Sequence, residues 1–152
     1  MRAKITSHSH PIKYWLPVIL WMAFIFWMST GTFSSEKTQP WVEMVLRFFG
    51  PAISSHDVDL IHASIRKAGH VIEYFVLGFL LFRAFRGPSA TPWRWRWSML
   101  AVIGVVLWAA GDEFHQSFVP SRTASVLDVG IDTAGGVIAQ LASALWYRDK
   151  NR

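Results

Sequence analysis

The sequence predicts an all-α integral membrane bundle of four transmembrane helices with a short amphipathic helix in the first outer loop. Two observations carry this expectation. Four stretches of the 152-residue chain are almost free of charge, and Lys and Arg are divided unequally among the segments that join them. Composition agrees, with 52% of residues apolar and 16% charged, against roughly 25% charged in a soluble domain. The length suits a single domain, 1–152.

The first stretch runs from about 14 to 30 (YWLPVILWMAFIFWMST) and the second from about 70 to 85, interrupted by Glu73 and Arg83. The third, about 97–111, has no charge, and the fourth, about 129–146, contains only Asp132. Each is about 15–18 residues long, slightly short of the ~20 that span hydrocarbon. A soluble alternative needs four helices apolar on every side, in a chain too small to surround them. A cleaved signal peptide does not suit the first stretch, which is long for such a segment, holds three tryptophans and is followed by no A-x-A site.

Charge then orients the bundle. Arg2, Lys4 and Lys13, then Arg83, Arg86, Arg94 and Arg96, then Arg148, Lys150 and Arg152 fall on one side, ten in all. Lys37, Arg47, Arg66, Lys67 and Arg122, five in all, fall on the other, spread over longer connections and mixed with acids. The positive-inside rule puts the first group, and both termini, in the cytoplasm. Trp15, Trp93, Trp95, Trp97 and Trp146 mark the inner interface, and Trp27, Trp41 and Trp108 the outer one. The net charge of +5 and pI near 10 thus record membrane orientation, and the W-R-W-R-W run is an anchor; no nucleic-acid partner is expected. With no cysteine, disulfide scaffolds, thiolate zinc sites and Cys nucleophiles are excluded.

Between the first two spans, Pro40 suits a helix start, Trp41–Phe49 carries apolar residues on one face, and Gly50-Pro51 ends it. Such a helix would lie on the outer leaflet or cap the bundle. Ser54 or Ser55 would cap a further helix through His62 towards Lys67, and Gly87–Pro92 forms a short turn.

Topology brings three distant polar clusters to one depth near the outer face. Lys67, His70 and Glu73 stand at the outer end of span 2; Asp112, Glu113, His115 and Gln116 follow span 3; Asp128 and Asp132 open span 4. His70, Glu73, Tyr74, Leu77, Gly78 and Leu81 form one helical stripe. Gly135, Ala139 and Ser143 make a small-residue ridge that admits a neighbouring helix. Five carboxylates near one opening are costly at membrane depth and call for partners or a function.

These residues resemble the VanZ-like family of small bacterial membrane proteins. The matching pieces are Lys67-x-x-His70-x-x-x-Tyr74-x-x-Leu77-Gly78 and Asp112-Glu113-Phe-His115-Gln116-x-Phe118-x-Pro120-x-Arg122-x-x-Ser125-x-x-Asp128, together with the polar stop Met28-Ser29. The chain departs from the family pattern at Asp132, where Asn is usual, and at Ala139, where the second of two glycines is usual. The resemblance implies a role at the bacterial envelope, in the cytoplasmic membrane; the founding member is associated with teicoplanin resistance.

Three functions suit this pattern. The first is a protein that binds or remodels an envelope lipid or lipid-linked cell-wall intermediate. In it Arg122 clamps a phosphate or carboxylate, and Lys67, Glu73, Tyr74, Gln116, Asp128 and Asp132 complete the binding site. The second is a membrane-embedded hydrolase or transferase at the outer leaflet, with Glu113 or Asp112 as general base and His70 as acid. No cofactor is required, although His70, Glu73, Asp112 and His115 form a candidate ligand set for a divalent metal. The third is a structural or regulatory module whose charges only hold the helices together.

Overall fold

A computed structural model describes residues 11–91, 93–120 and 124–149. Arg2, Lys4, Arg122, Lys150 and Arg152 lie outside the described residues. The described chain is all helical: α1 (Ile12–Met28), a 3-10 turn (Gly31–Phe33), α2 (Ser35–Phe49), α3 (Ser55–Arg86), α4 (Trp95–Gln116) and α5 (Val126–Asp149).

Three helices, α3, α4 and α5, are long and apolar enough to cross a membrane. α1 and α2 qualify as a fourth span only when taken together, as a pair bent by 58° at the Met28–Gly31 break. The chain is therefore a multi-pass membrane protein by length and composition.

Two boundaries differ from the sequence expectation. The expected short helix after Ser54 and the second span are one 32-residue helix, about 48 Å long at 1.5 Å per residue. Ser54 caps it, accepting from the Asp57 backbone N–H at 3.1 Å. A hydrocarbon core of about 30 Å is shorter than such a helix, and the polar N-terminal part, with Asp57, Asp59, Arg66 and Lys67, has the composition suited to water. α2, in turn, starts at Ser35 with Pro40 inside it. The Ser34 carbonyl accepts from the backbone N–H groups of Lys37 and Thr38, both at 3.1 Å, and from Thr38 Oγ1 at 3.0 Å. That turn is built before Pro40 arrives, and the proline forfeits one intrahelical bond.

α3 is the central helix. It packs most extensively on α5, then on α4 and α1. A Cβ on Gly135 would stand 2.5 Å from the Val71 carbonyl oxygen, and one on Gly78 would stand 3.0 Å from Gly136 Cα, so α3 and α5 meet backbone to backbone. Ala139 and Ser143 are buried along the same side of α5. Gln140, buried beside them, donates through Nε2 to the carbonyls of Gly78 at 3.0 Å and Gly136 at 3.3 Å. The apolar core, with Val18, Ile25, Leu77, Phe82 and Val105, lies around this crossing. Outward-facing Leu107, Leu141 and Leu145 are exposed, as a lipid-facing surface requires.

Candidate polar site within the helix bundle

The core changes character where α3, α4 and α5 come together near the ends of α1 and α4. Tyr74, Asp112, Glu113, Gln116 and Asp132 are all buried there. Each carboxylate has one satisfied oxygen. Asp112 Oδ2 accepts from Ser29 Oγ at 2.5 Å and from Gln116 Nε2 at 3.0 Å. Glu113 Oε2 accepts from the Ser125 backbone N–H at 2.7 Å, tying α4 to the start of α5. Asp132 Oδ1 stands 3.1 Å from His70 Nδ1, and the imidazole keeps limited solvent exposure while the carboxylate has none.

The other oxygens are open. Asp112 Oδ1, Glu113 Oε1, Asp132 Oδ2 and the Tyr74 hydroxyl are buried with no hydrogen-bond partner among the described residues. The Tyr74 hydroxyl lies within electrostatic reach of Asp132, Asp112, Glu73 and Glu113. Glu113 and Asp132 in turn feel Asp128. The fold therefore brings His70, Glu73 and Tyr74 of α3, Asp112, Glu113 and Gln116 of α4, and Asp128 and Asp132 of α5 into one neighbourhood.

A family model described as VanZ/LLP1 matches residues 14–147, a range that takes in every one of these groups. The chain belongs to the VanZ/LLP1 family. No curated protein and no solved structure matches it.

Other candidate residues of this VanZ/LLP1 chain are placed differently. Lys67 is exposed, and Arg122, the expected anion clamp, lies outside the described residues. The candidate metal set of His70, Glu73, Asp112 and His115 is not gathered: the described residues hold no group of three or more His, Asp or Glu placed for a metal ion. His115 instead stacks on Phe26, ring centroids 4.5 Å apart, and Asp112 is engaged by Ser29 and Gln116.

A cavity of about 180 Å³ adjoins the cluster. Met28, Phe33, Val42 and Ile65 give it apolar walls, while Ser29, His70 and Glu73 give it a polar side. Ser29 and His70 are also the direct partners of Asp112 and Asp132, so the cavity and the cluster share a wall. Arg66 and His62 line it as well. His62 Nε2 is 3.0 Å from Thr38 Oγ1, and Gln39 Nε2 donates to Asp59 at 2.7 Å, so α2 is pinned over the cavity by two polar contacts with α3.

Four contributors are not singled out from the sequence as site residues: Ser29, His62, Arg66 and Ser125. Ser29 and Ser125 stand within the family-like pattern. The signal for Arg66 is a cation one turn before His70.

Proposed function

We propose that this protein sits in the cytoplasmic membrane of a bacterium as a four-span bundle with both termini in the cytoplasm. Its site faces outward and binds or remodels an envelope lipid or a lipid-linked cell-wall intermediate. The observation that carries this reading is the cavity. Its volume equals roughly six water molecules of liquid, too small for a whole drug-sized ligand and suited to a headgroup. Its apolar walls suit the attached chain, and its polar side joins a cluster with open hydrogen-bonding atoms. The family name extends the proposal to glycopeptide tolerance of the teicoplanin type, which susceptibility testing of cells with and without the gene measures.

Gly69 supplies the test. It lines the cavity, and a Cβ there meets nothing within 4 Å, so Gly69→Phe plugs the space without striking backbone. Protein extracted in native membrane discs, without detergent, is expected to carry a bound amphiphile seen by native mass spectrometry, and the variant to lose it. Equal lipid content in both proteins sinks the reading.

One observation favours a second reading, the enzyme. His70 lines the cavity while its Nδ1 is held by the fully buried Asp132, an orienting pair of the kind that prepares an imidazole for acid–base work. Under that reading His70→Gln abolishes turnover of a lipid-linked substrate yet spares its binding.

A further inference from the structure

We propose that Arg66 anchors a phosphate oxyanion in the cavity that α2 covers. This rests on the reading of that cavity as a ligand site, and adds the charge of what it takes and the residue that holds it.

Within α3, His62, Arg66 and His70 follow one another at i, i+4 and i+8, so they share a face, and all three line the cavity. Most polar groups around this space are already engaged. The Ser29 hydroxyl donates to Asp112. The Thr38 hydroxyl has one proton and gives it to the Ser34 carbonyl at 3.0 Å, so its oxygen accepts from His62 Nε2. His70 Nδ1 is held by Asp132. Arg66 is the contrast. It is half-buried and forms no hydrogen bond or ion pair among the described residues. Five N–H donors and a permanent positive charge thus stand at the cavity with no acceptor from those residues.

What meets them must be an acceptor-rich anion. An arginine fork binds a carboxylate or a phosphate through two parallel bonds. A carboxylate commits both of its oxygens to that fork, whereas a phosphate keeps another for a second contact. His70 offers one: with Nδ1 engaged, Nε2 is its remaining nitrogen, on a ring one helical turn from Arg66. Depth agrees. Arg66 and Lys67 close the polar start of α3, and from Ala68 to Ile72 the only polar side chain is His70. Such a change of composition marks the level at which headgroups meet hydrocarbon. Glu73 also lines the cavity, but seven residues beyond Arg66, about 10 Å along the axis at 1.5 Å per residue. The anion therefore belongs at the Arg66 end, with an attached chain resting on Met28, Phe33 and Ile65. The same chemistry has two sources, the headgroup of an anionic phospholipid or free phosphate, and the test separates them.

The full chain is reconstituted in nanodiscs of choline phospholipid and phosphatidylglycerol in equal parts, and retained lipids are counted by native mass spectrometry. In discs of choline phospholipid alone, inorganic phosphate is titrated with thermal unfolding as the readout, against acetate at the same ionic strength. Phosphatidylglycerol is expected to be retained over choline lipid by roughly tenfold or more, the scale of one charge-assisted hydrogen bond. Arg66→Gln should bring the two lipids near parity. Arg66→Lys, which keeps the charge and loses the fork, should fall between, and it keeps the test alive if Arg66→Gln fails to fold. Lys37→Gln removes an exposed cation of α2 and should leave the preference unchanged; equal losses in Lys37→Gln and Arg66→Gln would trace it to overall charge and overturn the site. A phosphate response that Arg66→Gln loses, with no preference among lipids, upholds the oxyanion and removes the lipid source. Equal stabilisation by acetate overturns the phosphate. Lipids retained regardless of headgroup and displaced by Gly69→Phe, with no phosphate response, overturn the anion and leave the lipid reading standing. No retention and no response to phosphate overturn both.

Discussion

Ser29 and Asp112 are 83 residues apart in the chain, yet the serine hydroxyl donates to Asp112 Oδ2 at 2.5 Å. This bond joins the end of α1 to α4 and holds one oxygen of the carboxylate, leaving the other turned elsewhere. Ser29→Ala leaves that oxygen with the Gln116 amide alone and is expected to cost about 1–2 kcal/mol. Asp112→Asn keeps an acceptor for Ser29 and should cost less than Asp112→Ala, which removes the partner of both Ser29 and Gln116. Thermal unfolding in nanodiscs reads both comparisons. Equal loss in the two Asp112 variants would refute a bonding role for this carboxylate.

The α3–α5 crossing makes a sharper steric prediction. Because a Cβ on Gly135 would stand 2.5 Å from backbone oxygen, no rotamer change relieves it, and the helices must separate. Gly135→Ala is expected to destabilise by about 1–3 kcal/mol, the usual range for overpacking. Gly111 lies in α4 with nothing within 4 Å of its would-be Cβ. There, Gly→Ala should be neutral or stabilising by up to about 1 kcal/mol, since alanine is the better helix former. Matched unfolding curves for the two variants would contradict the close crossing.

The helical class and the gathering of acids were legible because both are periodic. Charge-free runs mark spans, and His70, Glu73 and Tyr74 share one stripe. What was not legible depends on how the helices are rotated and where they are cut. The Arg66-Lys67 pair lowers hydropathy, but Ala68 and Gly69 do not break the backbone, so a drop in hydropathy reads as a change of element where the helix runs on. Pro40 looked like a helix start, because nothing local reveals that Ser34 and Thr38 have already closed a turn. The partner of the Ser29 hydroxyl, and the turning of His115 to Phe26, are set by rotation of α1 against α4. Spacing within either helix does not encode that rotation.

Orientation is open to a direct experiment because the chain has no cysteine. A single Cys at Ser117, exposed just past α4, or at Ala90, exposed between α3 and α4, is then the only thiol. If the Lys and Arg distribution sets topology, a membrane-impermeant maleimide labels Ser117→Cys in intact cells. It labels Ala90→Cys only after permeabilisation. The reverse pattern would turn the bundle over and place the polar site on the cytoplasmic side.

α2 gives the last prediction. Its Trp41, Met44, Val45, Phe48 and Phe49 repeat at i, i+3, i+4, i+7 and i+8, and all are exposed, with Phe48 and Phe49 above 80%. Behind them, Glu43 and Arg47 pair at 2.8 Å, while Thr38 and Gln39 hold the helix to α3. An apolar stripe with a polar back describes a helix lying in the membrane interface, here one that covers the cavity. To isolate the signal, the other eight tryptophans are replaced by Phe and Trp41 is retained. Lipids brominated near the headgroup should then quench Trp41 more strongly than lipids brominated at the chain ends. Phe48→Asp should weaken this quenching, since it sets a charge into the apolar stripe, while leaving α3, α4 and α5 helical by circular dichroism. A Trp41 signal indifferent to brominated lipid, but quenched by aqueous iodide, would place α2 off the membrane.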